Sequence, residues 1–172
     1  MLTDGDLTVR HPLVGDAEAV AANVRASVPE LEPWMPWASA DYSVADALDW
    51  IEGRLGDAYS FLLIGANGEL VGTCGLNELD ELNQRANLGY WVRSDQTGNG
   101  YATRATKLVA RFGLEVVQLE RLEIVVSVLN EQSRAVAERA GATYEGVARH
   151  RLLRSGVSQD AHIFSFVAGD DV

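Results

Sequence analysis

The chain has 172 residues, 47% hydrophobic and 23% charged, a composition that supports a packed core of ordinary domain size and excludes a disordered chain. Its formal net charge of −11 disfavours nucleic acid; beyond keeping the chain in solution, such acidity attracts cationic ligands such as amines or basic peptides. No apolar run reaches the roughly 18 residues of a membrane span, residues 1–6 lack the pattern of a secretion signal, and the lone Cys74 cannot form an internal disulfide, so a cytoplasmic protein with no membrane partner is expected.

No internal repeat or low-complexity linker appears, and residues 1–172 read as a single domain. Residues 7–10 alternate with period two, as a first strand does. Ala17, Val20, Ala21 and Val24 recur at helical spacing after Asp16. Residues 29–37 hold three prolines and two tryptophans, which predicts a short helical or looped segment. Ser43 and Asp46 form a capping-box-like start to a second helix with the stripe Val44, Ala47, Leu48, Ile51 and Leu55. Strands follow at 58–65, at 70–76 after the hairpin signal Asn67-Gly68, and at 86–92, where Leu88, Tyr90 and Val92 share a face. A glycine-rich loop comes next, then a long helix with the stripe Ala105, Leu108, Val109, Phe112 and Val116. Residues 122–128 read as a β-branched strand, 130–140 as a helix closed by Gly141, and 147–153 and 162–167 as the last strands. This order, β-α-α-β-β-β-loop-α-β-α-β-β, predicts an α/β (α+β) domain on one mixed sheet.

Strand, glycine-rich turn and helix together make an anion site. The first helical turn offers unpaired N–H groups and a partial positive charge, and glycines let the backbone approach closely. Such a loop needs no side-chain cation, which suits an acidic protein. It is not a P-loop, because Gly100-Tyr101-Ala102 lacks the Lys and Ser/Thr, and it is not a dinucleotide fingerprint, because Gly98-Asn99-Gly100 is not followed by the third glycine. Taken alone it reads first as a plain turn with a helix cap, since glycine pairs are common in turns.

The wider pattern narrows this. Gly89-Tyr90-Trp91-Val92, then Gly98-Asn99-Gly100-Tyr101-Ala102-Thr103, then Asn130-Glu131-Gln132-Ser133 and Gly141 resemble the GNAT superfamily of N-acetyltransferases. Glu32-Pro33-Trp34-Met35-Pro36-Trp37 and Glu145-Gly146 resemble its RimJ/RimL-like branch, named for enzymes that acetylate the N-termini of ribosomal proteins. The resemblance implies a GNAT fold with a mostly antiparallel sheet, acetyl-CoA as co-substrate with no metal, and direct attack by a primary amine. The acceptor would be a protein N-terminus; a small-amine or antibiotic acetyltransferase and a non-catalytic acyl-CoA sensor are the alternatives. A homodimer is compatible with it.

The same resemblance implies the site residues. The amides of Gly98, Asn99, Gly100, Tyr101 and Ala102, with Thr97 and Thr103 at the loop's ends, would hold the pyrophosphate of coenzyme A. Thr97 stands where Arg or Gln is usual. The strand end Tyr90, Trp91, Val92 would border the cofactor and supply an oxyanion donor. Asn130 would bond the pantetheine arm, and Ser133 would sit near the departing sulfur; both residues also suit a helix cap. Relatives carry a glutamate where this chain has Asn87, so Glu78, with Asp80 and Glu123 as substitutes, is the candidate base. A site poor in bases favours an α-amine, with pKa about 7.7–8.0, over a lysine.

Other residues are weighed as structural first. His11, His150 and His162 lack metal spacing, and Cys74 has no histidine partner by spacing. Trp34 and Trp37 are core residues or the wall of an acceptor pocket. Arg104 and Lys107 are solvated helix charges or phosphate ligands.

Overall fold

A computed structural model describes residues 1–56 and 58–172. Eight strands form one sheet in the order β1-β2-β3-β4-β5-β6-β8-β7. They are β1 (Leu2–Asp4), β2 (Leu7–Arg10), β3 (Tyr59–Ile64), β4 (Leu70–Asp80), β5 (Arg85–Val92), β6 (Arg121–Ser127), β7 (Thr143–Arg154) and β8 (Val157–Val167). Every neighbouring pair is antiparallel except β5 and β6. The mixed, mostly antiparallel sheet flanked by helices is the expected one.

Helices cover both faces. The helices α1 (Ala17–Ala26), α2 (Val28–Leu31) and α3 (Val44–Ile51) lie on one, and α4 (Tyr101–Arg111) and α5 (Glu131–Ala140) on the other. Each face has its own core. Phe61, Leu63, Val71 and Leu88 pack with Val109 and Ala137, while Leu62, Leu70 and Trp91 pack with Val20, Val24 and Ala47. Side chains alternate across a strand, so a strand covered on both faces reads as a continuous apolar run, as 61–64 does.

The helix ends follow their cap residues. Ser43 Oγ accepts from the Asp46 N–H at 3.2 Å and Asp46 Oδ2 accepts from the Ser43 N–H at 2.7 Å, a reciprocal box. Gly141 closes α5 in the left-handed region.

Several expectations need correction. Strand β1 was not foreseen, and β7 and β8 are each longer than their predicted spans, because they form one hairpin closed at Ser155-Gly156. Leu55 lies beyond the end of α3 and is 63% exposed, and Val44, at its first turn, is 40% exposed. Val116 leaves its stripe because the chain widens into a π-turn over Phe112–Val116, which shifts the helical phase and turns the side chain outward. The π-turn lies close to the sheet at Gly113, where a Cβ would come within 2.9 Å of a Leu122 methyl.

Arg121 on β6 forms hydrogen-bonded ion pairs with Glu145 on β7 and with Glu123, and Ser165 donates to Glu145 at 2.7 Å. The Arg121 guanidinium first, with Ser165 also lowering it against partial burial, holds the Glu145 carboxyl at about 2 instead of its ordinary 4.5. A depressed carboxylate stabilises the fold above its unfolded value, and that contribution is lost as pH falls through the folded one. The melting difference between wild type and Glu145→Gln is therefore expected to be steady near neutrality and to vanish between about pH 4.5 and 2. Solvent screening keeps the pair to about 1 kcal/mol, or about 2–4 °C at this size. A difference that persists unchanged at pH 2 would contradict the assignment.

Candidate active site

Strands β5 and β6 pair only through Arg85, Ala86 and Asn87 opposite Arg121, Leu122 and Glu123. Beyond Asn87 they part. The Arg93 N–H bonds the Val71 carbonyl at 2.8 Å on the β4 side. Backbone groups alternate sides along a strand. Asn87, Gly89 and Trp91 thus face β4, while Leu88, Tyr90 and Val92 present their N–H groups away from it, toward the gap. By the same alternation, set by the Val128 N–H to Asp160 carbonyl bond on the β8 side, Val125 and Ser127 face the gap from β6. Trp91 is the exception to the expected strand end: its backbone is turned to β4 and its side chain is buried in the α1–α3 core.

A cleft of about 320 Å³ occupies this gap. Leu88 to Tyr90 and Ile124 to Ser127 line its middle, Asn130 and Ser133 at the start of α5 line one end, and Trp34 to Trp37 line the other. Since α5 and the α2–α3 segment cover opposite faces, the cleft crosses the sheet. Sequence reading placed Trp34 and Trp37 in core or wall; the structure makes them wall, with Trp37 44% exposed.

The α5 start serves two ends. Asn130 Oδ1 accepts from the Ser133 N–H at 3.0 Å, the expected cap. Ser133 Oγ lies 3.1 Å from Tyr90 Oη, which donates to the Ser133 carbonyl at 3.0 Å. Burial pushes the Tyr90 phenol well above its ordinary range, so it stays a neutral donor. This tyrosine–serine contact was missed at sequence level, since the residues lie 43 apart and no local pattern links them.

The glycine-rich loop leaves the end of β5 through a short 3₁₀ turn, Ser94–Gln96. Thr97 Oγ1 donates to the Ser94 carbonyl at 3.0 Å and Asn99 Nδ2 to the Gln96 carbonyl at 3.2 Å, so both side chains turn back on the loop. Gly98 and Gly100 have φ of +84° and +76°, and a Cβ on either would meet nothing within 4 Å. The first main-chain bond of α4 runs from the Arg104 N–H to the Gly100 carbonyl. The N–H groups of Tyr101, Ala102 and Thr103 precede it and have no helical partner. The Tyr101 side chain is buried and anchors the helix start in the core.

Arg104 is not directed at the loop. Its guanidinium pairs with Asp4 at 3.0 Å and Asp6 at 2.8 Å on the β1–β2 turn. Lys107 is exposed on α4.

Of the three candidate bases, Glu78 alone lines the cleft. It sits at a bulge of β4 with φ +50° and its side chain is 70% exposed. Asp80 is held below the ordinary carboxylate range by Asn83 hydrogen bonds and by Arg85, and Glu123 is engaged by Arg121 at 3.0 Å. Asn87 donates to Asn77 Oδ1 at 2.7 Å on the cleft wall.

The three histidines take local partners: His11 meets the Ser60 carbonyl, His150 meets Ser158 and His162 meets Tyr144. Cys74 is buried, which raises its thiol pKa far above its usual value. Among the described residues no group of three metal-binding side chains gathers, and no helix is long and apolar enough to cross a membrane.

The sequence pattern of the Acetyltransferase (GNAT) domain matches residues 6–143. YdaF of Bacillus subtilis (strain 168), whose name carries ribosomal N-acetyltransferase as an inferred activity, is 33% identical over 168 residues, 94% of this chain and 91% of its own. The structure of Mycobacterium smegmatis RimJ in complex with a CoA-disulfide aligns at a TM-score of 0.85 and 28% identity, over 97% of this chain and 84% of that one. The fold also matches RimL, a ribosomal L7/L12 α-N-protein acetyltransferase solved with coenzyme A, at a TM-score of 0.86 and 21% identity, over 98% and 97% of the two chains. The family pattern and the near full-length likeness to YdaF identify the chain as an N-acetyltransferase of the GNAT family, in its RimJ/RimL-like branch.

Proposed function

We propose that the chain moves an acetyl group from acetyl-CoA to the α-amine of a protein N-terminus by direct attack. The observation that carries this is the cleft that crosses the sheet between β5 and β6, joining a face fit for the thioester to a face fit for the acceptor.

The pyrophosphate is held by the amides of Gly98, Asn99, Gly100, Tyr101 and Ala102, with Thr103 completing the first turn. The open space beside Gly98 and Gly100 suits an anion against the backbone. Thr97, bonded back to Ser94, shapes the loop and does not reach for the phosphates. Tyr90 and Val92 on one edge and Val125 and Ser127 on the other offer backbone groups to the amide-bearing pantetheine arm, while Trp91 supports the strand from the α1–α3 core. The Asn130 Oδ1 is taken by its cap, so the amide nitrogen bonds the arm.

The amine attacks the thioester carbonyl once neutral; Glu78 takes its proton, through water where the reach is long. The C–N bond forms, and a strand N–H of Leu88 or Tyr90 holds the oxyanion. The C–S bond then breaks as the amide forms; the departing thiolate takes a hydrogen bond from the Ser133 hydroxyl, and the second proton of the attacking nitrogen reaches the sulfur by relay through water and that hydroxyl. The YdaF and RimJ likenesses support a ribosomal or other protein N-terminus as acceptor.

Calorimetry with coenzyme A and acetyl-CoA, followed by thiol release with an N-terminal peptide, tests this. Binding of both and turnover of the peptide are expected. No heat with either ligand would sink the cofactor assignment, and binding without turnover of any amine would sink the acceptor assignment.

A further inference from the structure

We propose that the acceptor end of the cleft selects N-termini followed by acidic residues, through Arg154 and Arg151; this rests on the acyl-transfer reading above. The chain as a whole has 25 acidic and 14 basic residues, yet the run Arg149-His150-Arg151-Leu152-Leu153-Arg154 has three arginines and no acid. Among the described residues lining the cleft only Glu78 and Arg154 carry formal charge.

Arg154 is partly buried, and its one hydrogen bond goes to the neighbouring Leu153 carbonyl. Among the described residues no carboxylate pairs with it. A guanidinium on a cleft wall without a counter-charge gains from any carboxylate that arrives. Arg151 lies 3.8 Å from Glu78, beyond hydrogen-bond reach, and the carboxylate is largely exposed, so that pair is weak and exchangeable.

The backbone aims these side chains. The β7–β8 register breaks between Ala148 and Leu152, with His150 at φ +54°, and resumes with Leu152 opposite Gln159. A bulge re-aims the side chains that follow it. Here Leu152 and Arg154 reach the cleft and Arg151 reaches Glu78. The polar groups of β8 packed against the bulge, Asp160 and Ser158, are already bonded to His150.

The arrangement fits one polarity of substrate. An α-ammonium can approach Glu78 while carboxylates of the next residues meet Arg154 and Arg151. A polyamine would place its second cation against Arg154.

The test compares thiol release with peptides beginning Ser-Asp-Glu, Ser-Gly-Gly and Ser-Lys-Lys, and with spermidine. The acidic peptide is expected to exceed the basic one by about tenfold in kcat/KM, a difference carried by KM, as one or two screened ion pairs allow. Salt at about 0.5 M, with a Debye length near 4 Å, should collapse the ratio. Arg154→Gln should bring it toward unity and Arg154→Glu should invert it. A wild-type ratio at or below one, a preference for spermidine, or an unchanged ratio in Arg154→Glu overturns the selection while leaving acyl transfer intact. Absence of turnover with every amine, the neutral peptide included, overturns the acyl-transfer reading itself and this inference with it.

Discussion

Gly100→Glu is expected to weaken coenzyme A binding by a factor of about 100 or more, the scale of roughly 3 kcal/mol, while the fold survives. Two effects act together. Gly100 has φ +76° at the start of α4, and a residue with a Cβ costs roughly 1–2 kcal/mol in that region. That cost alone lowers the melting temperature by only a few degrees, at about 2–4 °C per kcal/mol for this size. The second effect falls on the ligand. The space beside Gly100 is open, so the new side chain finds room there, and it brings a negative charge to the place where the proposed pyrophosphate meets the helix N-terminus. Gly100→Asn separates the two. Asparagine tolerates the left-handed region and adds no charge, so it should retain most of the stability and lose far less affinity than the glutamate. Calorimetry reads the affinity and a thermal melt reads the fold. Coenzyme A binding that survives Gly100→Glu would move the pyrophosphate away from this loop.

That loop was legible because its logic is local. Two glycines between a strand and a helix mark a tight turn at a helix start, and their positive φ values bear out the turn. Asn130 and Gly141 were legible for the same reason, since caps act on their own helix. The cleft was not. It exists because β5 and β6 part after Asn87, a matter of pairing between strand residues more than thirty positions apart, which no window of sequence records. Arg104 read as a solvated helix charge or a phosphate ligand from its place on α4, and it is neither, because its partners Asp4 and Asp6 lie about a hundred residues earlier, on a hairpin the pattern did not reveal. Val116 kept the helical spacing of its stripe and still faces out, because a π-turn changed the period within the helix. The chain therefore revealed the proposed cofactor loop more fully than the proposed catalytic centre. The loop is one segment, whereas the centre draws on β4, β5, α5 and β7.

Ser133→Ala is expected to lower kcat by about 10- to 100-fold, at or below the lower end of the range for a positioned proton donor, with little change in the KM for acetyl-CoA. In the proposed reaction Ser133 meets the leaving sulfur through its hydroxyl only, and its backbone N–H, which Asn130 caps, is untouched by the substitution. Tyr90 acts on the same group: its phenol donates to the Ser133 carbonyl and meets Oγ at 3.1 Å. Tyr90→Phe should reduce kcat less than Ser133→Ala, and the double variant should match Ser133→Ala alone, since residues that work as one unit lose their effect once. Additive losses would mean that the tyrosine acts elsewhere. The pH profile gives an independent reading. A free thiol has a pKa near 8.5, so above that value coenzyme A leaves as a stable thiolate and needs no proton. The deficit of Ser133→Ala should then shrink as pH rises past about 8.5. A deficit that stays constant across that range would mean the hydroxyl positions the thioester without helping the sulfur to leave.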